Sequence, residues 1–345
     1  MDRPVSGPLV VDIEGQALTD EDCTLLLNPW VGGVILFQRN IRDAEQCRVL
    51  IREVRSVRPD LLITVDQEGG RVRRLTKGVL NVPDMRTLAT GYDEAPESVL
   101  GRIRAVHAVM GQELAQLGFD LTWAPVADLD RGLNSVIAER SFGAQPEKVA
   151  ACVQAAAQGL SLAGMCPVLK HFPGHGGVAE DTHDSVAVDQ RDPADWEQDL
   201  EPFRAVLSGG ARAGVMLSHV RAEAFDAQPA VFSRTWINEV LREQWGFDGP
   251  IVTDDLSMKG AGGGSAGERV LRALEAGADA VLLCNDRRGV FKALRALDEN
   301  GDRLWDEVRA RRMATLRVGI AQAGDWDVLK QNVERVLNGL VQAGA

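Results

Sequence analysis

The sequence predicts an α/β protein that folds as a single-domain (β/α)8 barrel (TIM barrel). Short β-branched runs alternate with amphipathic helical segments along the chain, and eight such runs occur within roughly 280 residues. Near-continuous apolar strands that alternate with helices are typical of a parallel sheet covered on both faces. A barrel of eight such units has about 250 residues. An open, doubly wound sheet of eight strands is the alternative that the same pattern allows.

The predicted elements follow one another without a break in composition, so we predict one domain over residues 1–345. The strands are predicted at 9–12, 33–37, 62–66, 120–125, 167–170, 214–219, 250–254 and 279–284. The helices are predicted at 43–55, 98–117, 146–163, 193–207, 233–245 and 266–276, and several precede a glycine suited to a helix C-cap. The tail, at about 287–345, is helical and charged, and we expect it to pack across the barrel.

Composition excludes several classes of protein. Asp and Glu number 50 against 38 Lys and Arg, which gives a net charge of −12. An acidic chain without a basic stripe is not expected to bind nucleic acid. No apolar run approaches the roughly 18 residues of a membrane span, and no secretion signal is visible, so we expect a cytoplasmic protein. The five cysteines are scattered without a C-x-x-C pair, which argues against disulfides or a zinc ribbon. We expect a monomer.

Polar residues stand where most of the predicted strands end. These strand ends carry Asp12, Gln38, Asp66-Gln67-Glu68, Lys170-His171, His219, Asp254-Asp255 and Asn285. In a barrel, the C-terminal ends of all strands lie on one face, and active sites form there. A polar side chain at the end of a buried strand costs desolvation energy unless it is used. A single polar end is explained equally well by an ordinary turn, but the set indicates an active site.

The densest polar stretch follows the fifth strand, between Lys170 and His183. Asp181 and His183 are two residues apart, so in an extended segment their side chains point the same way. The carboxylate could then hold one imidazole nitrogen and leave the other free to move a proton near pH 6.5. A metal site that includes His171 and His175 is an alternative, although the H-E-x-x-H spacing is absent. A loop whose histidines only form hydrogen bonds is the other.

Two further motifs carry charged groups at strand ends. Asp254 and Asp255 follow the seventh strand, where a carboxylate can act as a nucleophile or a general base. Alternation cannot decide which of the two points inward, and both could instead cap the next helix. The segment 66–74 and Arg140 combine carboxylates, guanidinium groups and glycines, as a site for a polar ligand requires. Surface salt bridges would explain this second set equally well.

A glycine-rich segment at 262–267 matches the G-x-G-x-x-G pattern of dinucleotide sites. It does not follow its strand directly, and the two aspartates that precede it would repel a pyrophosphate. We therefore predict no dinucleotide, and we expect no cofactor and no metal.

Taken together, the motifs at 65–71, 170–183 and 253–258 resemble glycoside hydrolase family 3, and within it the single-domain bacterial β-N-acetylhexosaminidases of cell-wall recycling. The resemblance implies that Asp254 is the nucleophile and that His183, oriented by Asp181, is the acid and base. It also implies that N-acetylglucosamine (GlcNAc) is bound by Asp66, Arg74, Arg140, Lys170 and His171.

The implied reaction is hydrolysis with retention of terminal GlcNAc linked to anhydro-N-acetylmuramic acid, with or without peptide. This differs from the usual pair of carboxylates, because a His–Asp dyad replaces the second one. Two alternatives remain open at this point. A GlcNAc-releasing phosphorylase could use the same dyad, since a neutral histidine does not repel phosphate. A non-catalytic barrel that binds amino sugars is the other.

Overall fold

The computed structural model describes residues 7–133, 135–179, 187–210 and 212–343. Within these residues, the strands of the central sheet follow the predicted order and are short and fully buried. They are β1 (Leu9–Asp12), β2 (Val31–Leu36), β3 (Leu62–Val65), β4 (Leu121–Thr122), β5 (Val168–Phe172), β6 (Gly214–Leu217), β7 (Ile251–Thr253) and β8 (Val281–Leu283).

The strands form a closed parallel barrel. One sheet contains β8, β1, β2, β3 and β4 in that order, and a second contains β5, β6 and β7. Parallel bridges join the two sheets at both edges, between Val126 and Lys170 on one side and between Val252 and Ala280 on the other. The bonds from Val168 N to Ala124 O (2.8 Å) and from Thr253 N to Ala280 O (3.1 Å) complete these seams. The barrel was therefore predicted correctly, and the open sheet is excluded.

Helices surround the barrel, and their apolar faces pack on the strands. They are α1 (Asp20–Leu26), α2 (Ala44–Val57), α3 (Met85–Leu88), α4 (Pro96–Leu117), α5 (Pro146–Leu162), α6 (Pro193–Leu207), a π-helix (Thr235–Gln244), α7 (Ala266–Ala276), α8 (Arg287–Asn300), α9 (Glu307–Ala314) and α10 (Trp326–Ala343). Prolines stand in the first turns of α4, α5 and α6. An N–H group at this position would have no acceptor within the helix, so a proline there costs no hydrogen bond. Two short strands, Val188–Asp189 and Arg221–Ala222, pair outside the barrel.

The tail is helical, as predicted, and α10 packs against α4. Arg309 and Arg312 donate hydrogen bonds from the tail to Leu274 O and Asp279 Oδ1. These contacts attach the tail to the N-terminal end of the barrel. That the whole chain forms one domain stays a prediction. No helix in the described part of the chain is long and apolar enough to cross a membrane.

Candidate active site

A pocket of about 280 Å³ opens at the C-terminal ends of the strands. This volume lies near the lower limit of ligand pockets, which span about 300–1,000 Å³. Its lining includes every predicted site residue that the structure describes: Asp66, Arg74, Arg140, Lys170, His171 and Asp254. These residues come from the ends of β3, β5 and β7 and from the loop that follows β4. The barrel thus brings together side chains that are far apart in the sequence.

An ion network forms one wall of the pocket. Lys170 Nζ lies 2.9 Å from Asp66 Oδ1 and 2.6 Å from Glu68 Oε1. Arg140 donates two hydrogen bonds of 2.8 Å to the Glu68 carboxylate. Burial alone would raise the pKa of Glu68, but the charges of Arg140 and Lys170 hold it well below its usual range. Glu68 is therefore a counter-ion to both buried cations, and Asp66, which is more exposed, supplies the second negative charge and faces the pocket.

Arg74 extends this wall toward solvent. Its Nη2 donates to Asp66 Oδ2 at 3.4 Å, and its guanidinium lies 5.8 Å from the centre of the Phe37 ring. Asp66 accepts hydrogen bonds from both Lys170 and Arg74, so its carboxylate is fixed between two cations. A sugar hydroxyl can donate to a carboxylate held in this way, while the cations remain available to sugar oxygens.

A buried aspartate orients the histidine of the fifth strand. Asp128 Oδ2 lies 2.7 Å from His171 Nδ1, and Asp128 Oδ1 accepts a 2.8 Å hydrogen bond from the backbone N–H of His175. Burial raises the pKa of Asp128, but the neighbouring His171 lowers this pKa by more than burial raises it, so the carboxylate is ionised. An ionised carboxylate fixes a proton on His171 Nδ1, and this leaves Nε2 for the ligand. The pKa of His175 is lowered to about 4 by burial and by His171, so His175 is neutral.

Asp254 and Asp255 have different environments although they are adjacent. Burial raises the pKa of Asp254, but the charges of His171 and His219 outweigh it and lower the value to about 2. In Asp255, burial dominates and raises the pKa to about 6. The Asp255 carboxylate accepts hydrogen bonds from Ser257 N (2.9 Å) and Cys284 N (3.0 Å), which tie the loop after β7 to the end of β8. Asp254 is thus the carboxylate that is ionised at neutral pH without such a structural task.

Two predicted residues, Asp181 and His183, lie outside the described residues, so the model does not locate them. Two others were overlooked as site residues. Glu68 belongs to a motif that the sequence analysis singled out, but only Asp66 and Arg74 were chosen from it. Asp128 follows the predicted end of β4 at Pro125, and a polar residue just beyond a strand was the available signal.

Within the described parts of the chain, no three His, Cys, Asp or Glu side chains are grouped so as to hold a metal ion.

Comparison with known proteins identifies the family. The model of the glycosyl hydrolase family 3 N-terminal domain matches residues 9–317. The chain belongs to glycoside hydrolase family 3.

Relatives within family 3 match over nearly the whole chain. A β-hexosaminidase of Thiobacillus denitrificans is 41% identical over 329 residues, which are 94% of this chain and 90% of that protein. One from Chromobacterium violaceum is 43% identical over 326 residues, with the same two coverages of 94% and 90%. This family 3 chain is accordingly a glycoside hydrolase of the β-N-acetylhexosaminidase type.

Solved structures of similar proteins share the fold. NagZ from Neisseria gonorrhoeae, in complex with N-trifluoroacetyl-D-glucosamine, is 36% identical with a TM-score of 0.87, and the match covers 99% of both chains. A β-N-acetylhexosaminidase from Beutenbergia cavernae is 29% identical with a TM-score of 0.79, over 89% of this chain and 95% of that one.

Proposed function

We propose that this chain is a retaining exo-β-N-acetylglucosaminidase that releases terminal non-reducing GlcNAc from muropeptide fragments during cell-wall recycling. The observation that carries the proposal is the ionised carboxylate of Asp254 in the strand-end pocket, which Asp66 and Lys170 also line. The complex of a relative with an N-acylated glucosamine supports an amino sugar as the ligand. The relatives from Thiobacillus denitrificans and Chromobacterium violaceum are β-hexosaminidases and the one from Beutenbergia cavernae is a β-N-acetylhexosaminidase, and the finer substrate is our proposal.

Asp254 is the proposed nucleophile. Its lowered pKa of about 2 keeps it ionised at neutral pH, and the backbone N–H of Asp255 donates a 2.8 Å hydrogen bond to its Oδ1. In the first step, an Asp254 oxygen bonds to the anomeric carbon while the bond to the glycosidic oxygen breaks. The positive charge of the oxocarbenium-like transition state is favoured by the negative carboxylate.

His183 is the proposed acid and base, with Asp181 as its partner. His183 gives its proton to the departing glycosidic oxygen in the first step. In the second, it takes a proton from the water that attacks the anomeric carbon, and the ester to Asp254 breaks. Asp254 bonds to the face of the anomeric carbon opposite the leaving group, and water then bonds to the face opposite Asp254, so two inversions give a product of retained configuration. The motif around Asp181 and His183 supports this assignment.

The remaining predicted residues are proposed to bind the sugar. Asp66 can accept hydrogen bonds from hydroxyl groups, whereas Lys170, Arg74 and Arg140 can donate to sugar oxygens. His171 offers Nε2 to the same ligand because Asp128 occupies its Nδ1. The anhydro-muramyl leaving group, cytoplasmic location and monomeric state are parts of the proposal that rest on the sequence.

The first experiment measures release of nitrophenol from 4-nitrophenyl N-acetyl-β-D-glucosaminide by the wild type and by Asp254→Asn, in phosphate-free buffer with EDTA. We expect turnover by the wild type and a loss of at least ~1,000-fold in the variant, because the nucleophile is removed. A fluorinated, activated GlcNAc donor should label the wild type, and mass spectrometry of the digest should place the sugar on Asp254. NMR of the first product should show the β anomer.

Other outcomes point to the alternatives. Turnover that requires phosphate and yields GlcNAc-1-phosphate would identify a phosphorylase. GlcNAc binding without turnover in either buffer would indicate a binding protein. Loss of turnover with EDTA that Zn²⁺ or Mg²⁺ restores would contradict the metal-free mechanism.

A further inference from the structure

A buried ion cluster lies beside the pocket, and its residues are not part of the pocket lining. We define the loop-base cluster as Arg131, Asp189, Arg191 and Asp199. Arg191 donates to both carboxylates: its Nη2 lies 2.7 Å from Asp189 Oδ2, and its Nη1 lies 2.7 Å from Asp199 Oδ2. Arg131 Nη2 reaches Asp199 Oδ2 from the other side at 2.9 Å. Two cations and two carboxylates make the cluster neutral.

The loop-base cluster is costly to build. The side chains of Asp189 and Asp199 are each 1% exposed. Transferring a carboxylate from water to such a site is unfavourable, and pairing with arginine often recovers only part of the lost hydration energy. Arg191 also stacks over the buried Trp196, 4.8 Å from the ring centre. Because burial of these two carboxylates is unfavourable, we expect the cluster to have a role at this position.

The chain that leaves β5 runs directly over the cluster. A Cβ at Gly177 would collide with the Arg191 guanidinium and the Asp189 carboxylate, and a Cβ at Gly174 would lie 2.9 Å from Asp199 Cβ. A Cβ at Gly176 would collide with the carbonyl of Leu129. Glycines therefore allow this outgoing backbone to approach the ion pairs and the neighbouring loop closely.

The chain that returns toward α6 contains two members of the cluster. Asp189 and Arg191 belong to it, and Val188–Asp189 pairs with Arg221–Ala222 through bonds such as Glu223 N to Asp189 O at 3.1 Å. The backbone around Gly177 and the backbone at 189–191 thus meet on the same ions. In sequence, Asp181 and His183 lie between these two anchored positions.

We infer that the loop-base cluster is a set of positioning residues for the acid/base pair Asp181–His183, acting by fixing both ends of the chain segment that carries it. The inference rests on the proposed role of His183. Its alternative is that the cluster only stabilises the barrel. The two explanations differ in what a damaged cluster does to proton transfer, because general stability does not depend on the leaving group of the substrate.

The barrel supplies a matched control at its opposite end. Asp279, at the start of β8, also receives two arginines: Arg242 Nη2 lies 2.6 Å from Asp279 Oδ2, and Arg312 Nη1 lies 3.3 Å from Asp279 Oδ1. The Asp279 side chain is fully buried, as those of Asp189 and Asp199 nearly are. Arg191→Lys and Arg242→Lys therefore make the same chemical change in similar surroundings, one where the backbone at Gly177 meets the backbone at 189–191 and one at the N-terminal end of the barrel.

The test compares kcat/KM for two substrates. A dinitrophenyl N-acetyl-β-D-glucosaminide has a leaving group that needs no proton, whereas N,N′-diacetylchitobiose requires an acid. General acid catalysis contributes about 100- to 10,000-fold. We expect Arg191→Lys to lower kcat/KM for diacetylchitobiose at least ~10-fold more than for the dinitrophenyl glycoside. This factor corresponds to a partial loss of general acid catalysis. Arg242→Lys should lower both equally.

A second variant avoids altering any charge. Gly177→Ala should displace the outgoing backbone from the Arg191–Asp189 pair and produce the same selective loss, whereas Gly101→Ala, where a Cβ has open space, should not. Urea unfolding at the assay temperature checks that each variant is folded. Equal losses on both substrates in Arg191→Lys and Gly177→Ala, or a selective loss in Arg242→Lys, would overturn the inference.

His183→Ala separates this inference from the proposed function. If His183→Ala itself slows both substrates equally, the acid role fails, and the inference fails with it. If His183→Ala shows the selective loss and neither cluster variant does, only the inference is wrong.

Discussion

Arg140 and Glu68 form a buried, two-pronged ion pair that joins the loop after β4 to the loop after β3, with both N–O distances at 2.8 Å. Lys170 contacts the same carboxylate at 2.6 Å. Glu68 is thus the shared counter-ion of two residues that the sequence analysis assigned to sugar binding. Its removal should affect both of them, although Glu68 itself is more deeply buried than Asp66.

Glu68→Gln should weaken substrate binding and stability together. Arg140 loses its counter-charge and Lys170 loses one of its two, which costs about 3–5 kcal/mol when a buried pair is broken completely and less when an amide remains. We expect KM for the nitrophenyl substrate to rise about tenfold, equal to ~1.4 kcal/mol. Glu139→Gln removes a more exposed carboxylate, paired with Arg71, from the loop after β4 and should change neither quantity appreciably. Kinetics and urea unfolding measure both, and an unchanged KM in Glu68→Gln would contradict the assignment.

Asp128→Asn should disturb the tautomer of His171. The wild-type carboxylate accepts from Nδ1, whereas an amide nitrogen in its place would donate to Nδ1 and move the ring proton to Nε2. We expect kcat/KM to fall about tenfold or more, which is ~1.4 kcal/mol of transition-state stabilisation. The ¹⁵N chemical shifts of the imidazole report the tautomer directly.

The control for this variant is Asp130→Asn. Asp130 lies on the same loop, where it pairs with Arg86 and accepts from Gly132 N at 2.9 Å, but it does not contact a histidine in the described residues. Its kcat/KM should stay within about twofold of the wild type, because the change leaves the pairing of Asp128 with His171 intact. A wild-type tautomer and wild-type kcat/KM in Asp128→Asn would show that His171 does not depend on this carboxylate.

The barrel and most of its site could be predicted from sequence because both follow from strand ends. A parallel barrel places the polar ends of all strands on one face, so Asp66, Lys170 and Asp254 were expected to meet. The sequence pattern ends the fourth strand at Pro125 and so does not point to Asp128, yet the backbone continues along β5, with Ala127 N donating to Lys170 O at 2.7 Å. Pairing between strands that are far apart in sequence determines such ends, and local pattern does not contain it.

The sequence pattern also does not reveal the shortest helices. α1 has only seven residues, too few for a clear apolar period, although Thr19 and Asp22 form a capping box at its start. Alternation along the strand does not choose between Asp254 and Asp255, and the resemblance to family 3 supplies the choice of Asp254. Both residues follow the same apolar strand, but their surroundings differ: positive charges lie near Asp254, and backbone N–H groups occupy Asp255.

Asp255→Asn should change how stability depends on pH. The pKa of Asp255 is raised from an ordinary 3.8 to about 6, so the folded state favours the protonated form. Its contribution to stability is complete below about pH 4 and is lost as the pH rises through about 6. The variant cannot ionise, so its stability relative to the wild type should increase by about 1 kcal/mol between pH 5 and pH 7.5.

Urea unfolding at the two pH values measures this difference. Asp93→Asn, which changes a surface carboxylate that is 68% exposed, serves as the control and should show no such trend. A relative stability of Asp255→Asn that is equal at pH 5 and pH 7.5, or that decreases between them, would show that the carboxylate is not held in its protonated form by burial.

The pH profile of kcat/KM should have an acid limb at unusually low pH and an alkaline limb that depends on His183. Asp254 must be ionised to attack, and its pKa of about 2 lies below the ordinary aspartate value of 3.8, so loss of the nucleophile should begin only below about pH 3. The proposed acid must be protonated in the free enzyme, so kcat/KM should fall as the pH rises through the pKa of His183, ordinarily about 6.5. In His183→Ala, assayed with a dinitrophenyl glycoside, the alkaline limb should disappear while the acid limb remains. Brief assays after a pH jump keep unfolding from setting the acid limb. An acid limb near pH 4 would mean that His171 and His219 do not lower the pKa of Asp254, and an alkaline limb that persists without His183 would assign it to another group.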